Sequence, residues 1–196
     1  MRGTSIIRLV ALLSVFGLFG AVANPARADK PEKVVTHDSF DDVFCDIPVH
    51  VTVDGWSILH IQDYVIQADN PEVQDDFWIG VIQDHYDVTW TNEAGVTLTN
   101  TVRQTVQEDS LVDNGDGTWT YTFTINGMPE FLRVENDHIN KDVGRLTQQF
   151  VFYFGDLSTQ ADDELLSATI LGITGPHPTA ESDFELFCQN VQKVLG

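Results

Sequence analysis

The residues able to do chemistry are thirty carboxylates, six histidines and two cysteines, and their spacing decides what chemistry is open. Several carboxylates at short intervals can surround a hard cation, so calcium is the first ligand such acidity suggests. Asp113-Asn114-Gly115-Asp116-Gly117 has the density without the pattern, because a calcium loop of the helix-loop-helix kind needs oxygen ligands at alternate positions and Gly115 occupies the second of them. A hairpin turn is the better use of that segment. Weak surface calcium remains open at Asp41-Asp42-Asp46, Asp75-Asp76 and Asp162-Asp163-Glu164, wherever loops converge. No resident cofactor is expected.

The histidines, His37, His50, His60, His85, His138 and His177, show none of the HxH, HExxH or Cys/His spacings of zinc sites. A site assembled across strands from His50, His60 and His85 competes with the simpler reading of outward-facing strand residues, and the latter is preferred. Metal ligands are therefore not assigned. Nucleophilic catalysis wants a serine or cysteine on a strained turn with histidine and carboxylate partners. No GxSxG occurs, and Ser57, Ser110 and Ser167 lie in ordinary strand or turn contexts. No catalytic residue is assigned. Gly-rich phosphate loops, a basic stripe and N-x-[ST] sequons are absent.

The aromatic residues remain. Trp90, Trp119, Tyr121, Phe123 and Phe152 are the candidates to line an apolar ligand, if the strands that carry them enclose an interior. Most aromatics in a β domain are core, and that is the competing use.

Stepping outward to the chain that must position these groups, the N-terminus reads as a cleavable signal peptide. Arg2 and Arg8 precede an uncharged apolar run from Leu9 to Ala23, and Ala26-Arg27-Ala28 or Ala21-Val22-Ala23 offers the cleavage site. The run falls short of the ~20 residues a spanning helix needs, so no stable membrane anchor is expected. Taking residues 1–28 as the signal peptide removes three of the ten basic side chains and no acid. Seven basic groups then face thirty acidic ones, a formal charge of −23. Such a surface repels phosphate, which disfavours nucleic acid and anionic lipid and favours a cationic partner.

The remaining segment, 29–196, fits one domain with a sizeable core. Cys45 and Cys188 are its two cysteines, and export implies an oxidising compartment, so a single disulfide between them is expected. With this much chain enclosed, the loop-entropy model puts its contribution at about 4 to 5 kcal/mol.

Residues 29–46 read as an extended lead-in. From Ile47, strict alternation (Ile47, Val49, Val51, Val53) predicts a half-buried strand, with a turn at Asp54-Gly55. A long hairpin follows over Phe77–Thr91 and the strand after Asn92-Glu93-Ala94-Gly95. Thr118–Ile125 alternates threonine with Trp119, Tyr121, Phe123 and Ile125, and Asn126-Gly127 predicts the next turn. Leu146–Phe154, apolar on both faces over Phe150–Phe154, reads as a central or covered strand, and Leu165–Ile173 as the last. Phe184, Phe187, Cys188, Val191, Val194 and Leu195 then switch to helical spacing, with Ser182 and Glu185 as a capping box.

These segments, above all FCDIPVHVTVDG, YDVTWTNEAGVTLT, DNGDGTWTYTFTING and DFELFCQNV, resemble a group of small exported bacterial proteins of unknown function. The resemblance covers the whole mature chain. It implies secretion and an all-β domain, and it carries over no catalytic residue.

About eight strands joined by short connections predict an antiparallel meander closing into an up-and-down β-barrel with a short C-terminal helix, with a β-sandwich as the alternative. The function expected is a non-enzymatic exported binding domain, for a small apolar ligand or a protein partner. The alternatives are a barrel-type hydrolase or isomerase with a carboxylate and histidine site, and an inert acidic cell-envelope component. Oligomeric state is not legible.

Overall fold

The computed structural model describes residues 31–65, 77–153, 164–182 and 185–196. The expected signal peptide, residues 1–28, lies outside them. Seven strands follow one another: β1 Glu32–Phe44, β2 Ile47–Val65, β3 Phe77–Asn92, β4 Thr97–Asp113, β5 Thr118–Val134, β6 Asp137–Tyr153 and β7 Glu164–Thr174. Each pairs antiparallel with its neighbours in sequence, in one sheet ordered β1 to β7. The all-β meander of the sequence reading is therefore present, but the barrel is not closed. β1 and β7 are edges, and an unclosed sheet is the description that fits. A physical reason lies in β1, where Asp38 and Asp42 lie on the inner face opposite the buried Val53 and Val49, and closure would strip water from them.

Three features of the chain read differently in the structure. The lead-in is a strand: Phe44 pairs with Ile47, and Cys45 and Asp46 reverse the chain at φ values of 49° and 67°. Positive φ at both central residues matches the twist of a two-residue hairpin. The turn at Asp54-Gly55 does not form, and β2 runs straight through it. A Cβ on Gly55 would sit 2.2 Å from the His85 carbonyl oxygen, so that glycine serves a close strand approach. Asn126-Gly127 is likewise inside a strand. Gly127, at φ 125°, marks a shift of register with both neighbours, and the expected eight short strands become seven longer ones.

Alternation along each strand sends one set of side chains inward. β5 shows it plainly, with Trp119, Tyr121, Phe123 and Ile125 buried and Thr118, Thr120 and Thr122 partly exposed. The inner face carries two apolar clusters. One gathers Leu59, Ile82, Val106, Phe123, Leu146 and Phe150. The other gathers Phe44, Trp90, Leu98 and Leu132 beneath Phe187 and Val191 of the C-terminal helix.

That helix, α2 (Glu185–Leu195), follows a single turn, α1 (Pro178–Glu181). The Ser182 hydroxyl accepts the Leu186 N–H at 3.1 Å, as a capping serine does. Cys188 is bonded to Cys45 across 143 positions, so the disulfide fixes α2 to the β1–β2 turn. Gln192 donates to the Cys45 carbonyl at 3.1 Å and Asn92 to that of Leu195 at 2.7 Å, holding the same helix at two more points. A disulfide of this kind belongs to an oxidising compartment. Among the described residues no helix is long and apolar enough to cross a membrane.

Candidate functional site

Between the two apolar clusters the inner face turns polar. Cross-strand register aligns Ser57, Asp84, Gln104, Gly127 and Gly144 in one row across β2 to β6. The Ser57 hydroxyl donates to Asp84 Oδ1 at 2.6 Å, and Gln104 Nε2 donates to Asp84 Oδ2 at 3.0 Å. Tyr86 lies 2.6 Å from the same serine. Burial pushes the Asp84 carboxyl up despite the bonds from Gln104 and Ser57 that favour its charged form.

A second buried acid, Glu108, accepts from the Tyr121 hydroxyl and from the Gly80 N–H, the latter at 2.9 Å. Burial raises it to about 7 in spite of those donors. Its presence under Tyr121 explains why a tyrosine stands in an otherwise apolar run: the ring packs on Phe123 at 5.1 Å while the hydroxyl reaches the acid.

The third polar group anchors α1. Glu130 and Asp142 are cross-strand neighbours on β5 and β6. Glu130 Oε1 accepts from Asn140 at 2.6 Å and from the Thr179 hydroxyl at 2.8 Å, and Asp142 accepts the Thr179 backbone N–H at 3.1 Å. Burial, then the charge of Asp142, raises Glu130 to about 7, and burial raises Asp142 as well. His177 stands beside them, fully buried, with Nδ1 3.8 Å from Asp142. A histidine and two acids do converge here, but beneath the surface, and the carboxylate oxygens are occupied in docking the C-terminal segment.

Of the ligand-lining candidates, Trp90 belongs to the cluster beneath α2, and Tyr121, Phe123 and Phe152 belong to the other. Trp90 is packed at 4.8 Å against Phe44 and at 6.0 Å against Phe187. Trp119, Tyr121, Phe123 and Phe152 lie in the upper half of the inner face, all buried. Tyr121 stacks on Phe123, and Phe150 approaches both Phe123 and Phe152 edge-on.

The histidine trio set aside in favour of outward-facing strand residues is not brought together, since His50 and His60 stand ten residues apart on β2, about 33 Å along a strand. His85 instead stacks on Trp56 at 4.0 Å. In DNGDG the acids serve the turn: Asp113 accepts the Gly115 N–H at 2.8 Å and Asp116 the Thr118 N–H at 3.0 Å. Asp75-Asp76 and Asp162-Asp163 lie outside the described residues. Among the described residues no group of three or more His, Cys, Asp or Glu is placed to hold a metal ion.

The outer face of the β1–β2 hairpin holds a constellation that the sequence reading missed. The tight turn sets Asp41 opposite His50 and Ser39 opposite Thr52. His50 Nδ1 lies 2.7 Å from Asp41 Oδ1 while its Nε2 lies 2.8 Å from Ser39 Oγ. Nearer the strand's start, His37 Nδ1 meets Asp54 at 2.7 Å. Recognising β1 as a strand was the missing step. With a two-residue turn at Cys45-Asp46, the register and these contacts follow from counting.

What these features define is a class of architecture: an unclosed seven-stranded antiparallel meander with a disulfide-held C-terminal helix over its inner face. No family model, curated protein or solved structure matches this chain.

Proposed function

We propose that this protein is an exported binding domain whose contact surface is the open edge of β1, and that its partner is an extended, basic polypeptide segment. The observation that carries this is the strand itself. Among the described residues β1 pairs on one side only, and of its thirteen residues just Phe44 is buried. Val35, Phe40 and Val43 stand 57%, 45% and 62% exposed on it. A long edge with apolar side chains is a template for one more strand, in which main-chain hydrogen bonds supply affinity and alternate side chains supply choice.

Charge selects the partner. Glu32, Asp38, Asp41 and Asp42 ride on β1 against a single Lys33, so a second copy laid along this edge would set acids near acids. Like charges across a strand pair are destabilising, while lysines interleaved with apolar residues are attracted. The buried aromatics enter as the core that holds the edge in place.

The test is a titration of the folded protein with a decapeptide alternating lysine and valine, followed by amide chemical shifts, with a glutamate-valine peptide beside it. The expected result is shifts centred on β1 for the lysine peptide, weakening as salt rises. Equal binding of both peptides, or none of either, overturns the proposal. Shifts at the inner aromatics on adding an apolar small molecule would favour an interior ligand instead.

A further inference from the structure

We propose that Ser39, His50 and Asp41 form a solvent-exposed nucleophile that accepts acyl or phosphonyl groups from small activated esters and fluorides. The inference uses only the outer face of the hairpin and holds whether or not the β1 edge takes a partner.

The two contacts of His50 are complementary rather than redundant. An ionised carboxylate only accepts, so Asp41 at 2.7 Å fixes the imidazole proton on Nδ1. Nε2 is then left with its lone pair, 2.8 Å from Ser39 Oγ, and the hydroxyl hydrogen is the one to lie between them. This is the relation a serine needs to lose its proton as it attacks, with the carboxylate holding the ring and steadying the imidazolium. Strand geometry supplies it without any loop: Asp41 is directly across from His50, and Ser39, two residues along the same face of β1, reaches the ring's other side. His37 serves as an internal comparison, with the same 2.7 Å contact to Asp54 and no serine among its described hydrogen-bond partners.

With an aryl ester, the Ser39 oxygen forms a bond to the acyl carbon while its proton passes to His50 Nε2. The tetrahedral intermediate then expels the aryloxide, which takes that proton, and leaves O-acyl-Ser39. Water attacks the acyl carbon next and gives its proton to Nε2. The Ser39–acyl bond breaks, the proton returns to the serine oxygen, and the carboxylic acid departs. Val43 and Pro48, paired on the same face, offer a short acyl chain an apolar rest. Nearby Asp54 and the acids of β1 turn away anionic donors, so the substrate class is small neutral or cationic esters. A positioned base supplies about 10²- to 10⁴-fold. Exposed Asp41 places this site at the lower end.

The test treats the folded, disulfide-intact protein with a neutral fluorophosphonate and maps the adduct by peptide mass spectrometry. In that reaction the Ser39 oxygen bonds to phosphorus, fluoride leaves, and the proton goes to His50. Ser39 is expected to be labelled about 100-fold faster than Ser110 or Ser167. Ser39→Ala and His50→Gln should abolish this labelling, Asp41→Asn should slow it about tenfold, and His37→Gln should leave it unchanged. All four side chains are exposed, so circular dichroism is expected to show each variant folded. Labelling spread evenly over the serines, or labelling of Ser39 that survives His50→Gln, overturns the proposal.

Discussion

The inner and outer faces of this sheet use the same residue types to opposite effect. On β4, Glu108 points inward, where the Tyr121 hydroxyl and the Gly80 N–H close over it and its carboxyl rises to about 7. The next residue, Asp109, points outward and accepts a hydroxyl from Thr124 at 2.8 Å. Asp84, Glu130 and Asp142 share the fate of Glu108, buried with hydrogen-bond donors around them, whereas Asp41 and Asp54 stand in water beside histidines. One step along a strand separates an acid that organises the interior from one that is free to meet other molecules. The interior thus concerns stability, and the hairpin's outer face and edge are where contact is proposed.

The contrast is sharpest where the packing is densest. Replacing Trp90 by alanine removes a fully buried ring between Phe44 and Phe187. It is expected to lower unfolding free energy by about 3 to 5 kcal/mol in urea titrations. A loss under about 1 kcal/mol would show the lower core to be loosely formed. Next comes the disulfide. Serine at both Cys45 and Cys188 is expected to destabilise by about 2 to 5 kcal/mol, freeing the hairpin turn from α2. Thermal unfolding of the double variant checks this.

Mild acid should stabilise this protein. Glu108 and Glu130 have folded values of about 7 against an ordinary value of 4.5, so between those limits the native state holds protons that the unfolded chain releases. Stability is then greatest at or below the lower limit and falls as pH rises through about 7, by up to about 3 kcal/mol per group. Urea midpoints at pH 5 and pH 8 test the sign. Glu108→Gln should flatten the profile, and a midpoint that climbs with pH would refute the assignment. The smallest effect is reserved for the outside: His50→Gln should change stability by no more than about 0.5 kcal/mol.

Much of this architecture was legible in the residues. Threonine–aromatic alternation gave β5 its faces, the late three-and-four spacing gave α2, and two cysteines in one chain gave the bridge. Glycine misled in two places. Asp54-Gly55 and Asn126-Gly127 carry strong turn chemistry, but Gly55 is there because the His85 carbonyl passes where a side chain would stand, and Gly127 because its φ is 125° and the Arg103 carbonyl oxygen lies 2.6 Å from where a Cβ would be. The opposite error hid β1: the reversal at Cys45-Asp46 uses two non-glycine residues in left-handed conformation, so the polar lead-in was not read as a strand. Of the buried acids only Glu130 was hidden by a register shift: β5 buries Trp119, Tyr121, Phe123 and Ile125 and then, past the shift at Gly127/Glu130, changes parity to Glu130 and Leu132, whereas Glu108 and Asp142 continue the alternation of their own strands. With β1 unseen, Ser39 and Asp41 have no geometry in the sequence, and the nucleophile test reaches only Ser57, Ser110 and Ser167.

The claim on which the account most depends is that the sheet stays open at β1. Amide hydrogen exchange of the free protein, resolved by residue, measures this directly. The account expects alternate β1 amides, those turned from β2, to exchange orders of magnitude faster than amides in the middle of β4 and β5. Uniform protection along β1, equal to that of the central strands, would mean that the edge is already covered and would contradict the account.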